Sequence, residues 1–213
     1  MRYDSFVYIY PPRPTMAIKP KSSAFEGMKS RDGWTAQLKL NGQRNMIYIY
    51  PSGEIEFWNR RKEKHRNYTP PEFLLDQVRS IFDNRGQWMV IDGELLHAKD
   101  RNIKNTLYVW DILVCDDELL IGKTLDFRYN LLLERMHGGR LVSDYVMVAS
   151  PNIWVASNVG PDEFDDAFEQ CAKSYVEGLM FKDINAKLQP CFTDKNNSSW
   201  QVRCRRPHGA YRF

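Results

Sequence analysis

The strongest constraint on this chain is a series of short strand-like runs, separated either by turn dipeptides or by helical stretches. Thr35–Leu40 reads as a strand ending at Asn41-Gly42, a pair suited to a tight turn. Met46–Tyr50 and Glu54–Trp58 flank Pro51-Ser52-Gly53 and read as a hairpin. Pro70 and Pro71 open a helix with Phe73, Leu74, Val78, Ile81 and Phe82 at helical spacing. Strands are expected over Trp88–Leu96 and Leu107–Val114, then a helix from about Leu125 to Met136. A further helix should begin at Pro161, with a buried stripe of Phe164, Phe168, Cys171, Ala172 and Tyr175. The last strands are Gly178–Lys182 and Ser199–Arg205, and Pro11-Pro12-Arg13-Pro14 is a stiff extended lead-in. Strand pairs mixed with three helices imply an α+β fold, in which helices cover antiparallel sheets.

A length of 213 residues suits a single domain with a sizeable core. No apolar run approaches the roughly 20 residues a membrane span needs, and Met1-Arg2-Tyr3-Asp4 does not open a signal peptide. Cys115, Cys171, Cys191 and Cys204 are scattered, which argues against a zinc site or a disulfide framework. The expected setting is cytoplasmic, in a bacterial or phage-infected cell, without membrane contact. Net charge is only +3, but Arg60, Arg61, Lys62, Lys64, His65 and Arg66 form one basic cluster. Arg203, Arg205, Arg206, His208 and Arg212 form another. Such clusters can neutralise phosphates, or be solvated surface offset by acids such as Glu63.

Four segments, with a short aromatic stretch after the second, carry chemistry. The first is Gln37-Leu38-Lys39-Leu40-Asn41-Gly42-Gln43-Arg44: a lysine at a strand end beside a glycine, followed by an arginine. The second is Val90-Ile91-Asp92-Gly93-Glu94-Leu95, where a carboxylate can accept from a ribose hydroxyl or hold a divalent ion. After it comes Tyr108-Val109-Trp110-Asp111, an aromatic just before an aspartate. The third is Glu177-Gly178-Leu179-Met180-Phe181-Lys182, in which strand alternation puts Glu177 with Phe181, and Gly178 with Met180 and Lys182. The fourth is Ser199-Trp200-Gln201-Val202-Arg203-Cys204-Arg205.

Taken in this order, the segments resemble the motifs of the covalent nucleotidyltransferases: ATP-dependent DNA and RNA ligases and mRNA capping enzymes. The resemblance implies the family's adenylation-domain fold, with Lys39 as the nucleophile that attacks ATP. Gln37, Leu38, Arg44, Arg60, Glu94, Trp110, Lys182, Arg203 and Arg205 would line the nucleotide, and Glu94 and Glu177 would serve Mg²⁺. Trp110 would stack on adenine, a contact worth roughly 1–3 kcal/mol. Gln37 stands where DNA ligases often carry a glutamate near the adenine amino group, and Asn41 replaces their usual aspartate. For the last motif, counting basic residues selects Arg203 and Arg205, whereas counting from Trp200 selects Val202 and Cys204. Pro12-Arg13-Pro14-Thr15-Met16-Ala17 and Asn59-Arg60-Arg61 resemble segments of DNA ligases.

These likenesses imply an ATP-dependent DNA ligase acting on nicked duplex DNA. The alternatives are an RNA ligase, a capping-type guanylyltransferase, or a non-catalytic nucleic-acid-binding relative. With seven residues after Arg206, the expectation is a chain without the family's C-terminal OB domain. The expectation is one nucleotidyltransferase domain over residues 1–213, with a protein partner as one substitute for that module.

Overall fold

In the computed structural model, described for residues 1–137, 141–143 and 145–207, two sheets face each other across a cleft. His208 and Arg212 of the second basic cluster lie outside the described residues. The strands are β1 (Arg13–Ile18), β2 (Trp34–Leu40), β3 (Gln43–Ile49), β4 (Ile55–Trp58), β5 (Met89–Leu96) and β6 (Thr106–Cys115). They continue with β7 (Glu118–Leu119), β8 (Leu141–Ser143), β9 (Val146–Ser150), β10 (Ile153–Ala156), β11 (Val176–Asp183) and β12 (Asn197–Arg205). The helices are α1 (Ser23–Lys29), α2 (Glu72–Ile81), α3 (Leu125–Glu134) and α4 (Phe164–Glu169).

The smaller sheet runs β1-β12-β11-β2, and the larger runs β4-β3-β5-β6-β10-β9-β8, with β7 beside β6. Most pairs are antiparallel, but β1 lies parallel to β12 and β10 parallel to β6. The expected hairpin is present as β3–β4, Met46 opposite Trp58. Gly53, at φ +84°, supplies the left-handed residue of its turn. Asn41-Gly42 does something different from a hairpin turn, because it carries the chain from β2 in one sheet to β3 in the other.

Apolar faces explain the layering. Leu74, Val78 and Ile81 of α2 and Leu132 of α3 seal the larger sheet against Ile47, Ile91, Leu107 and Val109. Phe25 and Met28 of α1, with Phe164 and Ala167 of α4, cover Leu38, Leu179, Phe181 and Val202 of the smaller sheet. Ser22 caps α1 and Thr124 caps α3, each side chain accepting from a backbone N–H 3.2 Å away. The helix expected from Pro161 is broken up: 3₁₀ at Pro161–Glu163, α at Phe164–Glu169, and 3₁₀ again at Gln170–Ala172. Neither Glu163 nor Glu169, which precede the later segments, makes a side-chain cap bond, and Tyr175 lies beyond the last turn.

The sheets are also fastened at the edge of β2. Val159, just beyond β10, exchanges backbone hydrogen bonds with Ala36 at 3.1 and 2.9 Å. All four cysteines are buried free thiols, and among the described residues no helix is long and apolar enough to cross a membrane.

Candidate active site

The end of β2 and the start of β3 open onto a cleft of about 640 Å³ between the two sheets. Register across the smaller sheet builds one wall. Arg205, Gly178 and Lys39 stand opposite one another on β12, β11 and β2. The next row is Arg203, Met180 and Gln37, and the third is Gln201, Lys182 and Thr35. Residues in one cross-strand row share a face. Arg203 and Arg205 therefore border the cleft, whereas Val202 and Cys204 point into the core at 1% and 0% exposure. Of the two countings of the last motif, the fold turns the arginines toward the cleft. Leu38 also borders the cleft, although its side chain is buried beneath the sheet, because it alternates with Gln37 and Lys39 along β2.

Strand alternation places Glu177 with Phe181, and the structure corrects this. Val176 opposes Leu40 but Gly178 opposes Lys39, so Glu177 is the extra residue of a β-bulge. The bulge turns Glu177 into the cleft, where its carboxylate lies 2.5 Å from Lys39 Nζ and 3.3 Å from Arg205 Nε. Phe181 stays in the core. Gly178, at φ +153°, completes the bulge; a Cβ there would sit 1.9 Å from the Cys204 carbonyl oxygen.

A second bulge shapes the opposite wall. Gly93 pairs with Val109 and Asp92 with Asp111, which leaves Trp110 unopposed and lets its side chain reach the cleft. The Asp92-Gly93-Glu94 segment lies inside β5 rather than in a turn, and Gly93 is required because a Cβ would come within 2.6 Å of the Tyr108 carbonyl. Asp92 and Glu94 project on one face. Asp92 takes a two-pronged contact from Arg44, with Nε at 2.5 Å, and accepts from Trp110 Nε1 at 3.2 Å. The Arg44 guanidinium lies 4.8 Å from the Trp110 ring centre and Lys182 Nζ 5.4 Å from it. Trp110 thus stands among the cleft cations while also packing against the core of the smaller sheet. The aspartate after it points the other way, where Asp111 is locked to Arg128 of α3 by two 2.9 Å bonds.

Between the walls runs a chain of polar contacts. Lys182 Nζ donates to Gln37 Oε1 at 2.5 Å, and Gln37 Nε2 donates to Asn158 Oδ1 at 2.7 Å. Burial drives the Lys182 ammonium down from 10.5 to about 7; Asp111 and Asp92 oppose the shift and Arg44 and Arg128 add to it. The sign is a cost: between about pH 7 and 10.5 the unfolded chain holds the extra proton, so this site weakens the fold fully below pH 7 and progressively less above it. An anion bound beside Lys182 would restore its charge. Binding of ATP at pH 8 should therefore draw up close to one proton, read as a buffer-dependent binding enthalpy. Lys182→Met should remove that dependence.

Glu94, half-buried, has its carboxyl raised mainly by burial, against the pull of Lys39, Arg44 and Lys99. A divalent cation would offset that burial. Glu94 and Glu177 both border the cleft, and no group of three or more His, Cys, Asp or Glu residues suited to a metal occurs among the described residues. The donor set fits Mg²⁺, which keeps several waters and takes one or two carboxylates plus phosphate oxygens. Arg60 sits exposed at the mouth with Arg61, on the loop after β4. The motif reading passed over Asp92, Lys99, Met180 and Gln201 of this region, and Asn158 behind it. Asp92 belongs to the Val90–Leu95 segment, but its arginine partner comes from the neighbouring strand β3, where the register sets Arg44 opposite Glu94 and its side chain reaches diagonally to Asp92.

Similarity to known proteins points the same way. Residues 96–201 match the model of the ATP dependent DNA ligase domain. DNA ligase 1 of Saccharomyces cerevisiae is 21% identical over 209 residues, covering 88% of this chain but 26% of the yeast protein. The fold is similar to the ligase domain of M. tuberculosis LigD, with TM-score 0.56 and 16% identity over 88% of this chain and 57% of that one. It is also similar to mycobacterial DNA ligase D complexed with ATP and MES, with TM-score 0.57 and 16% identity over 89% and 59% of the two chains. The chain therefore spans about a quarter of the yeast relative.

Proposed function

Because this chain belongs with the ATP-dependent DNA ligases, in the superfamily of covalent nucleotidyltransferases, we propose that residues 1–213 act as a DNA ligase's adenylyltransferase domain. The observation that carries the reading is the placement of Lys39 on the cleft wall, opposite Gly178 of the bulge and in contact with Glu177. A lysine attacks phosphorus only as the neutral amine, and Glu177 lies within reach of the proton that must leave.

The reaction has three steps. The Lys39 nitrogen forms a bond to the α-phosphorus of ATP as the bond to the β-phosphate oxygen breaks, releasing pyrophosphate. An oxygen of a 5′-phosphate then takes the AMP, breaking the phosphorus–nitrogen bond and returning a proton to Lys39. A 3′-hydroxyl finally attacks that 5′-phosphorus, loses its proton, and expels AMP to seal the strand. The residues contribute position and charge. Arg203, Arg205 and Lys182 stand where phosphate charge develops, Trp110 offers its ring to the adenine, and Gln37 faces the base edge. Arg44, held by Asp92, supports the wall beside Trp110, and Arg60 at the mouth meets nucleic acid. Glu94 and Glu177 are the carboxylates that would hold Mg²⁺, which would supply neutralisation of phosphate charge. Nicked duplex is the proposed substrate, and its phosphates suit the basic loop of Arg60, Arg61, Lys62 and Lys64.

Incubation with ATP labelled at the α-phosphate, with Mg²⁺, should leave an acid-labile label on the protein. Lys39→Ala and Lys39→Arg should both abolish it, since a guanidinium stays charged. No adduct on the unaltered protein, or an adduct that survives Lys39→Ala, would overturn the reading. Labelled GTP in parallel tests the capping-type alternative.

A further inference from the structure

The structure assigns Asn158 a role: we infer that it is a positioning residue that holds the Gln37 amide in place to select a 6-amino purine over a 6-oxo purine. The inference rests on the proposed nucleotide site and adds to it the determinant of base choice, outside every motif quoted above.

Gln37 is 2% exposed, yet its amide borders the cleft. Two bonds clamp it from opposite ends. Lys182 donates to Oε1 at 2.5 Å, and Nε2 donates to Asn158 Oδ1 at 2.7 Å. A lysine ammonium has donors only, so it orients Oε1 toward itself and leaves Nε2 to face Asn158. That leaves the second lone pair of Oε1 as the acceptor offered to a base. An exocyclic 6-amino group donates to it. A 6-oxo group would meet it as acceptor against acceptor, an unpaired and desolvated contact.

Before a nucleotide restores its charge, Lys182 alone cannot maintain this arrangement. Burial brings its proton near the point of loss at neutral pH, and a neutral amine accepts as readily as it donates. Asn158 supplies the fixed end. It sits immediately before Val159, whose backbone is pinned to Ala36 by bonds in both directions, while Thr35 Oγ1 donates to the Val159 carbonyl at 2.8 Å. The same β2 edge that carries Gln37 therefore carries the segment that holds its amide. Without Asn158 the buried Nε2 loses its acceptor, and the amide is free to turn and present either edge.

The test is equilibrium binding of ATP and of GTP, each with Mg²⁺, by calorimetry at pH 8. The unaltered protein should favour ATP. Asn158→Ala should lower the ATP-to-GTP affinity ratio by roughly tenfold, the scale of one buried hydrogen bond left unmade. Asn158→Asp, which still accepts from Nε2, should keep the ratio. If Asn158 acts through Gln37, then Gln37→Ala combined with Asn158→Ala should give the ratio of Gln37→Ala alone. Should Asn158→Ala fail to fold, Asn158→Ser, polar but too short to reach, carries the same comparison. A ratio unchanged in Asn158→Ala, even with a lowered Tm, would make Asn158 a loop fastener only and overturn the inference. Equal affinity of the unaltered protein for both nucleotides would also overturn it, while leaving the Lys39 adduct test standing. Binding of neither nucleotide would sink the proposed site and this inference together.

Discussion

Replacing Arg128 by leucine should lower the free energy of unfolding by about 3–5 kcal/mol, because it strands a buried carboxylate. Arg128 is fully buried on α3 and meets both oxygens of Asp111 at 2.9 Å. A third bond, from Nη1 to the Lys123 carbonyl at 2.7 Å, ties the same guanidinium to the turn before the helix. Removing the arginine leaves Asp111 without its counter-charge in a setting that water does not reach. Removing both partners should cost far less than the sum of the two single changes, since no lone charge remains buried. Urea unfolding of the two single variants and the double variant checks this. A cost near zero for Arg128→Leu would mean that Asp111 finds another partner.

Gly178→Ala should be at least as damaging, at about 4 kcal/mol or more. The new Cβ would stand 1.9 Å from the Cys204 carbonyl oxygen and 2.8 Å from Arg205 Cα. These are backbone atoms of the paired strand, so no side chain can turn aside to make room. The φ of +153° adds strain for any residue with a side chain. Gly27 in α1 is the natural control, because nothing lies within 4 Å of its added Cβ. Gly27→Ala should stabilise, by up to about 1 kcal/mol. Equal stability of the two variants in the same denaturation experiment would contradict the bulge geometry. Partial survival of Gly178→Ala would allow a second reading, since Glu177 should then swing away from Lys39 and the adduct yield should fall.

Local sequence pattern reached most strands and the two longer helices. β2, the β3–β4 hairpin, β5, β6, β11 and β12 each combine apolar runs with clear turn residues, and α2 carries its apolar stripe at helical spacing. α1 went unread because it is seven residues long with Gly27 inside it. β8, β9 and β10 are short, and β10 is placed by parallel pairing with β6, a long-range partnership that no local window contains. The lysine, the carboxylates and the arginines of the site were legible as residue types in order. Their directions were not. Glu177 and Trp110 reach the cleft through bulges, and a bulge inverts the alternation from which a strand's faces are read. Asn158 was invisible for a related reason: its partner Gln37 is far away in sequence, and only the edge contact of Val159 with Ala36 brings them together.

Lys39 and Arg44 are near neighbours in the chain yet stand on facing walls, because Asn41-Gly42 crosses from one sheet to the other. That crossing has no slack: a Cβ on Gly42 would meet Glu94 Cγ at 2.4 Å and the Leu95 carbonyl at 2.6 Å. The gauge of the cleft is therefore set by a two-residue covalent spacer pressed against its own floor. A jaw of this kind cannot be widened by relaxing a distant loop. Adaptation to a bulkier substrate would have to come from the side chains lining the gap, while the length of the spacer stays fixed.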